Sequence, residues 1–111
     1  MNGREVFKMA VRRLGKINKD IIEKFNFSAE QVDHFVSHQA NKRILEATAD
    51  RVGVSLDKMP MNLDKYGNTS AATIPIVLAE FEQNGSIKSG DLVALSAFGA
   101  GLTWGATLIR W

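Results

Sequence analysis

At 111 residues, with 45% hydrophobic and 23% charged residues, the chain has the size and composition of one small globular domain. The 14 basic and 12 acidic residues leave a formal net charge of +2, which is too weak to predict nucleic-acid binding. The sequence contains no cysteine, which excludes disulfides, thiolate metal sites and a cysteine nucleophile within these residues. No apolar run approaches the about 18 residues of a membrane span, and the N-terminus lacks a signal-like apolar run. We therefore expect a cytoplasmic protein that binds neither membrane nor nucleic acid.

The first half of the chain predicts two helices with a strand between them. Apolar residues at three-four spacing indicate an amphipathic helix from Arg4 to Phe25. Asp33 to His38 alternates as a strand does. Asn41 to Val52 returns to helical spacing, and Gly53 follows where a left-handed C-terminal cap is expected.

The second half predicts a short strand, a helix and a C-terminal hairpin. Ser55 to Leu63 indicates a turn followed by a brief extended segment, and Leu92 to Phe98 with Leu102 to Trp111 indicates two paired strands. Between them, Ala71 to Phe81 is a helical segment that is apolar on nearly every side, with Pro75 in its first turn. Because such a helix needs cover on more than one side, we expect a packing partner outside this set of elements.

Four basic residues recur at every fourth position of the first predicted helix: Arg4, Lys8, Arg12 and Lys16. On a helix they form one stripe. A solvated face is the simpler interpretation, and a docking surface for an acidic partner or a phosphate is the alternative.

The two histidines, His34 and His38, stand on the predicted strand and would point to the same face. A metal site would need further ligands, and no cysteine or close carboxylate completes the set. We predict no metal site.

Polar motifs follow the predicted strands and suggest carbonyl chemistry. A neutral imidazole at His38 and the side-chain amide of Asn68 can both donate to one carbonyl oxygen and stabilise a developing oxyanion. Each residue also has a structural interpretation, because His38 could be a buried histidine bonded to backbone and Asn68 follows Gly67 in a turn-like segment.

Three motifs in the same order resemble the C-terminal half of the β-ketoacyl-acyl carrier protein synthase III family. They are His38-Gln39-Ala40-Asn41 with Arg43, the segment Tyr66 to Ala72, and the segment Ser96 to Gly105. The segment Gly3 to Lys8 is similar too, so the resemblance covers the whole chain. It implies one C-terminal domain, residues 1–111, of a thiolase-like α/β fold with a mixed β-sheet, packed helices and one central buried helix.

The resemblance implies an acyltransferase that starts fatty-acid synthesis by decarboxylative Claisen condensation. In the family, a cysteine of the N-terminal half takes the acyl group of an acyl-CoA, and malonyl-acyl carrier protein is decarboxylated to attack it. That half lies outside this chain, so we expect these residues alone to be inactive in condensation. The implied substrates are coenzyme A and phosphopantetheine thioesters, with no permanently bound cofactor. The implied partners are acyl carrier protein, the N-terminal half and a second copy in a homodimer.

The resemblance also assigns roles to single residues. His38 and Asn68 match the catalytic pair, and the backbone at Gly99 and Ala100 matches the turn of an oxyanion hole. The positions that match carrier-protein docking and the pantetheine channel are, respectively, Arg43 and Lys42, and Gly3, Val6, Phe7 and Asn41.

Other functions stay open at the level of sequence. The chain could be a non-catalytic module that binds acyl carrier protein or coenzyme A, which the basic stripe and Arg43 favour. Other thiolase-fold condensing enzymes, such as chalcone-type or hydroxymethylglutaryl-CoA synthases, are further alternatives. The details at Gln39 to Asn41 and at Gly67 to Ser70 favour synthase III.

Overall fold

A computed structural model describes residues 3–39, 41–67, 73–99 and 103–111 of the chain. Helices and strands within these ranges follow the order α1 (Gly3–Lys24), β1 (His34–Ser37), α2 (Lys42–Val52), α3 (Leu63–Tyr66), α4 (Thr73–Gln83), β2 (Leu92–Gly99) and β3 (Thr103–Arg110). The predicted α/β class is confirmed. No helix in the described ranges is both long and apolar enough to cross a membrane.

The three strands form one mixed sheet with β2 in the middle. β1 runs parallel to β2, with Ser37 opposite Ser96. β3 runs antiparallel to β2, with Trp104 opposite Phe98, which confirms the C-terminal hairpin. Among the described residues β1 and β3 are therefore the outer strands of the sheet.

Helices cover both faces of the sheet. Phe35 and Val36 are consecutive residues of β1, so their side chains point to opposite faces of the sheet. Both are buried because each face is covered. Phe35 packs with Leu45 and Ala49 of α2 and with Ile22 of α1. On the other face, Val36 joins a cluster that also contains Val77, Ile87 and Val93.

Local signals define both ends of α2. The Asn41 side chain accepts a hydrogen bond from the Ile44 backbone N–H at 2.9 Å, which satisfies one donor of the first turn. Gly53 ends the helix with φ of 84°, a left-handed conformation that costs glycine little. The predicted cap at Gly53 is confirmed.

The short strand predicted between Ser55 and Leu63 is wrong. Residues 59–62 form no strand. The turn predicted before them is confirmed, because Leu56–Lys58 forms a 3-10 turn and the Ser55 hydroxyl accepts from the Asp57 N–H at 3.3 Å. Such a local side-chain bond offers the backbone an alternative to strand pairing, and Pro60 has no N–H to donate to a ladder. The single-turn helix α3 begins at Leu63, after residues 59–62.

The apolar helix of the sequence is α4, and among the described residues its apolar side chains pack on the sheet along one side. Val77 is fully buried against the sheet. Ile74, Ile76 and Leu78 stay half-exposed, and Pro75 is exposed near the start of the helix. The described part of the chain thus contains no second layer over α4.

Candidate active site

Parallel pairing of β1 and β2 places the C-terminal ends of both strands side by side. The edge of the sheet formed by these strand ends is the edge meant below. The His38 backbone N–H donates to the Ser96 carbonyl at 3.0 Å, which continues the ladder one residue beyond β1. Gly99 is the last residue of β2 and lies opposite Thr103. The two segments that the sequence singled out, after β1 and at the end of β2, therefore lie at the same edge.

The His38 ring is half-buried, and burial lowers its pKa from the ordinary value of 6.5. Desolvation disfavours the charged imidazolium, so the ring is neutral at pH 7 and keeps one N–H for donation. Among the described residues no group hydrogen-bonds to the ring. The interpretation of His38 as a buried histidine bonded to backbone therefore has no support in these ranges.

His34 belongs to the other end of β1. Its Nε2 lies 2.9 Å from Oδ2 of Asp91, which precedes β2. The same Asp91 oxygen accepts from the Lys88 backbone N–H at 2.9 Å. The described residues contain no cluster of His, Asp and Glu side chains suited to a metal ion.

The buried side chain of Gln39 connects the end of β1 to the segment before α3. It is 1% exposed. Its Nε2 donates to the carbonyls of Ser37 at 3.0 Å and Pro60 at 3.3 Å, and its Oε1 accepts from the Asn62 N–H at 3.3 Å. These bonds fix the position of the chain just after His38 relative to the segment that leads through α3 to Gly67.

Asn62 extends the same network to α4. Its Nδ2 donates to Oε2 of Glu80 at 3.0 Å, while Lys65 of α3 pairs with Oε1 of the same carboxylate at 2.6 Å. The hydrogen bond from Lys65, then the bond from Asn62 and lastly the charge of Lys65 lower the pKa of Glu80. α3 is thereby tied to α4 by charged and polar contacts.

One predicted channel residue, Phe7, and one predicted docking residue, Arg43, meet where α1, α2 and β2 converge. Phe7 of α1 and Phe98 of β2 both pack against the cluster formed by Ala10, Val11, Leu14 and Ile44. The Arg43 guanidinium carbon lies 5.6 Å from the centre of the Phe7 ring, within the range of a cation–π contact. The structure thus brings Arg43 and Phe7 together, next to the strand that ends in Gly99.

The other predicted residues have different surroundings. Asn41 is exposed, and its side-chain oxygen serves as the cap of α2. Lys42 is exposed and lies 3.8 Å from Glu46, one helical turn along. Gly3 begins α1 and is exposed, and Val6 is half-buried. Asn68 and Ala100 lie outside the described residues.

A buried polar network below this edge was missed from the sequence. The hydroxyls of Ser37 and Ser96 are 2.8 Å apart, and Nδ2 of Asn18 donates to Ser96 Oγ at 3.2 Å and to the Leu14 carbonyl at 2.8 Å. Asn18 is fully buried. Its spacing of four from both Leu14 and Ile22 was an available signal, because that spacing places it on the core face of α1.

Comparisons with known proteins agree with the motifs. Residues 22–111 match the family described as 3-oxoacyl-[acyl-carrier-protein (ACP)] synthase III C terminal. The chain is 50% identical over 111 residues to a β-ketoacyl-[acyl-carrier-protein] synthase III of Staphylococcus aureus, covering 100% of this chain and 36% of that protein.

Solved structures give the same result for the fold. A β-ketoacyl-[acyl carrier protein] synthase III of Thermus thermophilus superimposes with a TM-score of 0.95 at 48% identity, covering 100% of this chain and 35% of that one. The 3-oxoacyl-[acyl-carrier-protein] synthase III of Aquifex aeolicus gives 0.97 at 46% identity, with 100% and 36% covered. The chain thus spans about a third of the length of the relatives that it matches.

Proposed function

Because the chain belongs to the family of 3-oxoacyl-[acyl-carrier-protein] synthase III C-terminal domains, we propose that it forms the decarboxylating wall of a thioester-condensing active site. In this proposal the substrate is a malonyl thioester carried on acyl carrier protein, and an acyl-CoA supplies the primer. A cysteine-bearing segment outside this chain completes the site. The thiolase-like fold of the structural relatives supports the proposal.

The observation that carries the proposal is the His38 ring. It is half-buried, its pKa is lowered by burial, and it has no hydrogen-bond partner among the described residues. A neutral imidazole in this state donates one hydrogen bond to a thioester oxygen that becomes negative as carbon dioxide leaves. We assign Asn68 as the second donor by its match to the family motif.

Three further roles belong to this proposal. The backbone at Gly99 and Ala100 donates to the oxyanion of the acyl-cysteine, a role that needs an N–H and close approach. Arg43 and Lys42 receive the acidic carrier protein and its phosphopantetheine phosphate. Gly3, Val6, Phe7 and Asn41 line the pantetheine path. The full enzyme is a cytoplasmic homodimer.

A chimera tests the proposal directly. This chain would replace the matching C-terminal segment of the Staphylococcus aureus relative, whose remaining residues complete the protein. We expect the chimera to condense an acyl-CoA with malonyl-acyl carrier protein. His38→Ala and Asn68→Ala should each lower malonyl decarboxylation by about 100- to 1,000-fold, as loss of an oxyanion donor does, while acyl transfer from acyl-CoA persists.

Lys24→Gln is the matched control, because it alters an exposed residue in the last turn of α1. Equal loss of decarboxylation and acyl transfer in the His38 variant would contradict the assigned role. A folded chimera without condensing activity would contradict the proposal as a whole.

A non-catalytic binding module is the second candidate, and the exposed basic face of α1 favours it. Titration of the isolated chain with acyl carrier protein at low and high salt separates the two functions. A stable monomer with salt-sensitive binding would favour the module, whereas self-association of the folded chain through the half-exposed face of α4 would favour part of a larger enzyme.

A further inference from the structure

A groove between α1 and α2 is lined almost entirely by cations. It encloses about 280 Å³, and its lining residues are Arg12, Gly15, Lys16, Lys19 and Arg51. Arg12 and Lys16 are members of the basic stripe seen in the sequence, whereas Lys19 and Arg51 were not part of it. Among the residues that the structure describes, no acidic side chain lines the groove.

The positive charge of this groove is only partly neutralised. Lys16 Nζ lies 2.8 Å from Oδ2 of Asp20, and both side chains are well exposed. Arg12, Lys19 and Arg51 form no ion pair with any residue in the described ranges. Like charges gathered in one concave surface raise the local potential and attract a counter-ion of opposite sign.

Gly15 explains how Arg51 is held there. A Cβ at position 15 would lie 3.0 Å from Cβ and 3.2 Å from Cδ of Arg51. A glycine in a helix interior costs about 1 kcal/mol relative to alanine. The sequence therefore carries a helix-weakening residue where the stem of Arg51 packs against α1.

We propose that this groove binds a small polyanion of the diphosphate class. A guanidinium offers paired N–H donors that match phosphate oxygens, and an ammonium adds a compact point charge. The concave shape of the groove suits a compact ligand better than the broad surface of an acidic protein. None of its lining residues belongs to the candidate active site, so this proposal goes beyond the proposed function and does not depend on it.

Calorimetric titration of the purified chain tests the site. The probes are inorganic pyrophosphate, ADP and, as the uncharged control, adenosine. We expect saturable binding of one pyrophosphate per chain that weakens as salt is added, because exposed charge interactions are screened. Tighter binding of ADP than of pyrophosphate would identify a nucleotide as the source of the diphosphate, and the reverse order would identify the inorganic ion. Binding of adenosine alone would overturn the proposal.

Two variants separate a built site from general attraction. Arg51→Gln should weaken pyrophosphate binding about tenfold, the size expected for one lost charge-assisted hydrogen bond. Gly15→Ala keeps every charge but displaces Arg51, and it should weaken binding as well. Lys24→Gln removes one charge from α1 outside the groove and should leave the affinity unchanged.

Two results would overturn the site. One is an equal loss of affinity in Arg51→Gln and Lys24→Gln, which would mean diffuse attraction by net charge. The other is salt-sensitive binding of an acidic carrier protein through Arg51 without any binding of pyrophosphate. Circular dichroism confirms that each variant is folded.

Discussion

The protonation state of His38 is the residue-scale property on which the proposed chemistry depends. Burial lowers its pKa, so we expect an NMR titration of the ring to have its midpoint below 6.5. The spectrum of His38→Gln assigns the resonance. Because the folded pKa lies below the unfolded one, the unfolded chain binds more protons as pH falls through this range, and His38 then lowers stability. A midpoint at or above the ordinary value would contradict the neutral donor.

Gln39 should prove structurally indispensable although it carries no charge. In Gln39→Leu the carbonyl of Pro60 and the N–H of Asn62 lose their bonds to this side chain. Buried polar groups left unpaired cost about 1–3 kcal/mol each. We expect urea denaturation to show at least that loss. Gln83→Leu, at an exposed position at the end of α4, is the control and should change stability by less than about 0.5 kcal/mol.

Sequence motifs singled out candidate site residues but not the contacts that surround them. His38 and Arg43 were identified from local motifs, and the structure places them at the converging ends of β1, α1 and α2. The bonds of Gln39 to Pro60 and Asn62 could not be predicted, since they join residues more than 20 positions apart. Asn18 was overlooked because its neighbours on α1 made the core face look purely apolar.

At the scale of elements, two variants of Asn41 separate its role as the cap of α2 from its proposed role in the pantetheine path. Asn41→Ala removes the cap and should cost about 1 kcal/mol of stability, whereas Asn41→Ser keeps an oxygen for the Ile44 N–H and should cost less. Thermal denaturation measures the difference. If Asn41 also lines the pantetheine path, the chimera should bind substrate more weakly in both variants. A destabilised Asn41→Ser with normal Asn41→Ala would be incompatible with the cap.

Periodicity predicted the long elements well. α1, α2 and the β2–β3 hairpin have the predicted type with boundaries within a few residues, because each combines a regular apolar pattern with a recognisable end. The short strand predicted between Ser55 and Leu63 was wrong, because the short apolar run there fits a strand and an irregular loop equally well. Only the side-chain bond at Ser55 and the contacts of Gln39 with this segment decide between them.

The stability of the whole molecule should fall in acid, because the contact between His34 of β1 and Asp91, which precedes β2, depends on the charge of Asp91. The pKa of Asp91 is lowered, first by the bond from the Lys88 N–H and then by the bond with His34. A carboxyl whose folded pKa is depressed stabilises the fold above its unfolded pKa, and this contribution is lost as pH falls through the folded value.

Asp91→Asn should therefore be less stable than the parent near pH 7, with the difference shrinking in acid. Urea denaturation at a series of pH values measures this difference. Asp64→Asn, at an exposed position in α3, provides the comparison. A constant difference between the Asp91 variant and the parent across the acid range would mean that the charge of Asp91 is not involved.

The whole-molecule arrangement was the part least accessible to sequence. The apolar pattern of α4 indicated a helix that needs a second layer, and the structure shows which side lacks it, with Ile76 and Leu78 half-exposed. The order of strands could not be derived from the hairpin alone. It depends on the parallel pairing of β1 with β2, which no local pattern encodes.

That parallel pairing has a consequence for the order of folding. β2 and β3 are neighbours in sequence, so their pairing closes a short loop, whereas β1 meets β2 only after α2, α3 and α4 have been enclosed between them. Loop closure over a longer segment costs more entropy and slows contact formation. We expect the C-terminal hairpin to assemble early and β1 to add to it late. The edge that carries His38 is thus completed only when nearly the whole chain has folded.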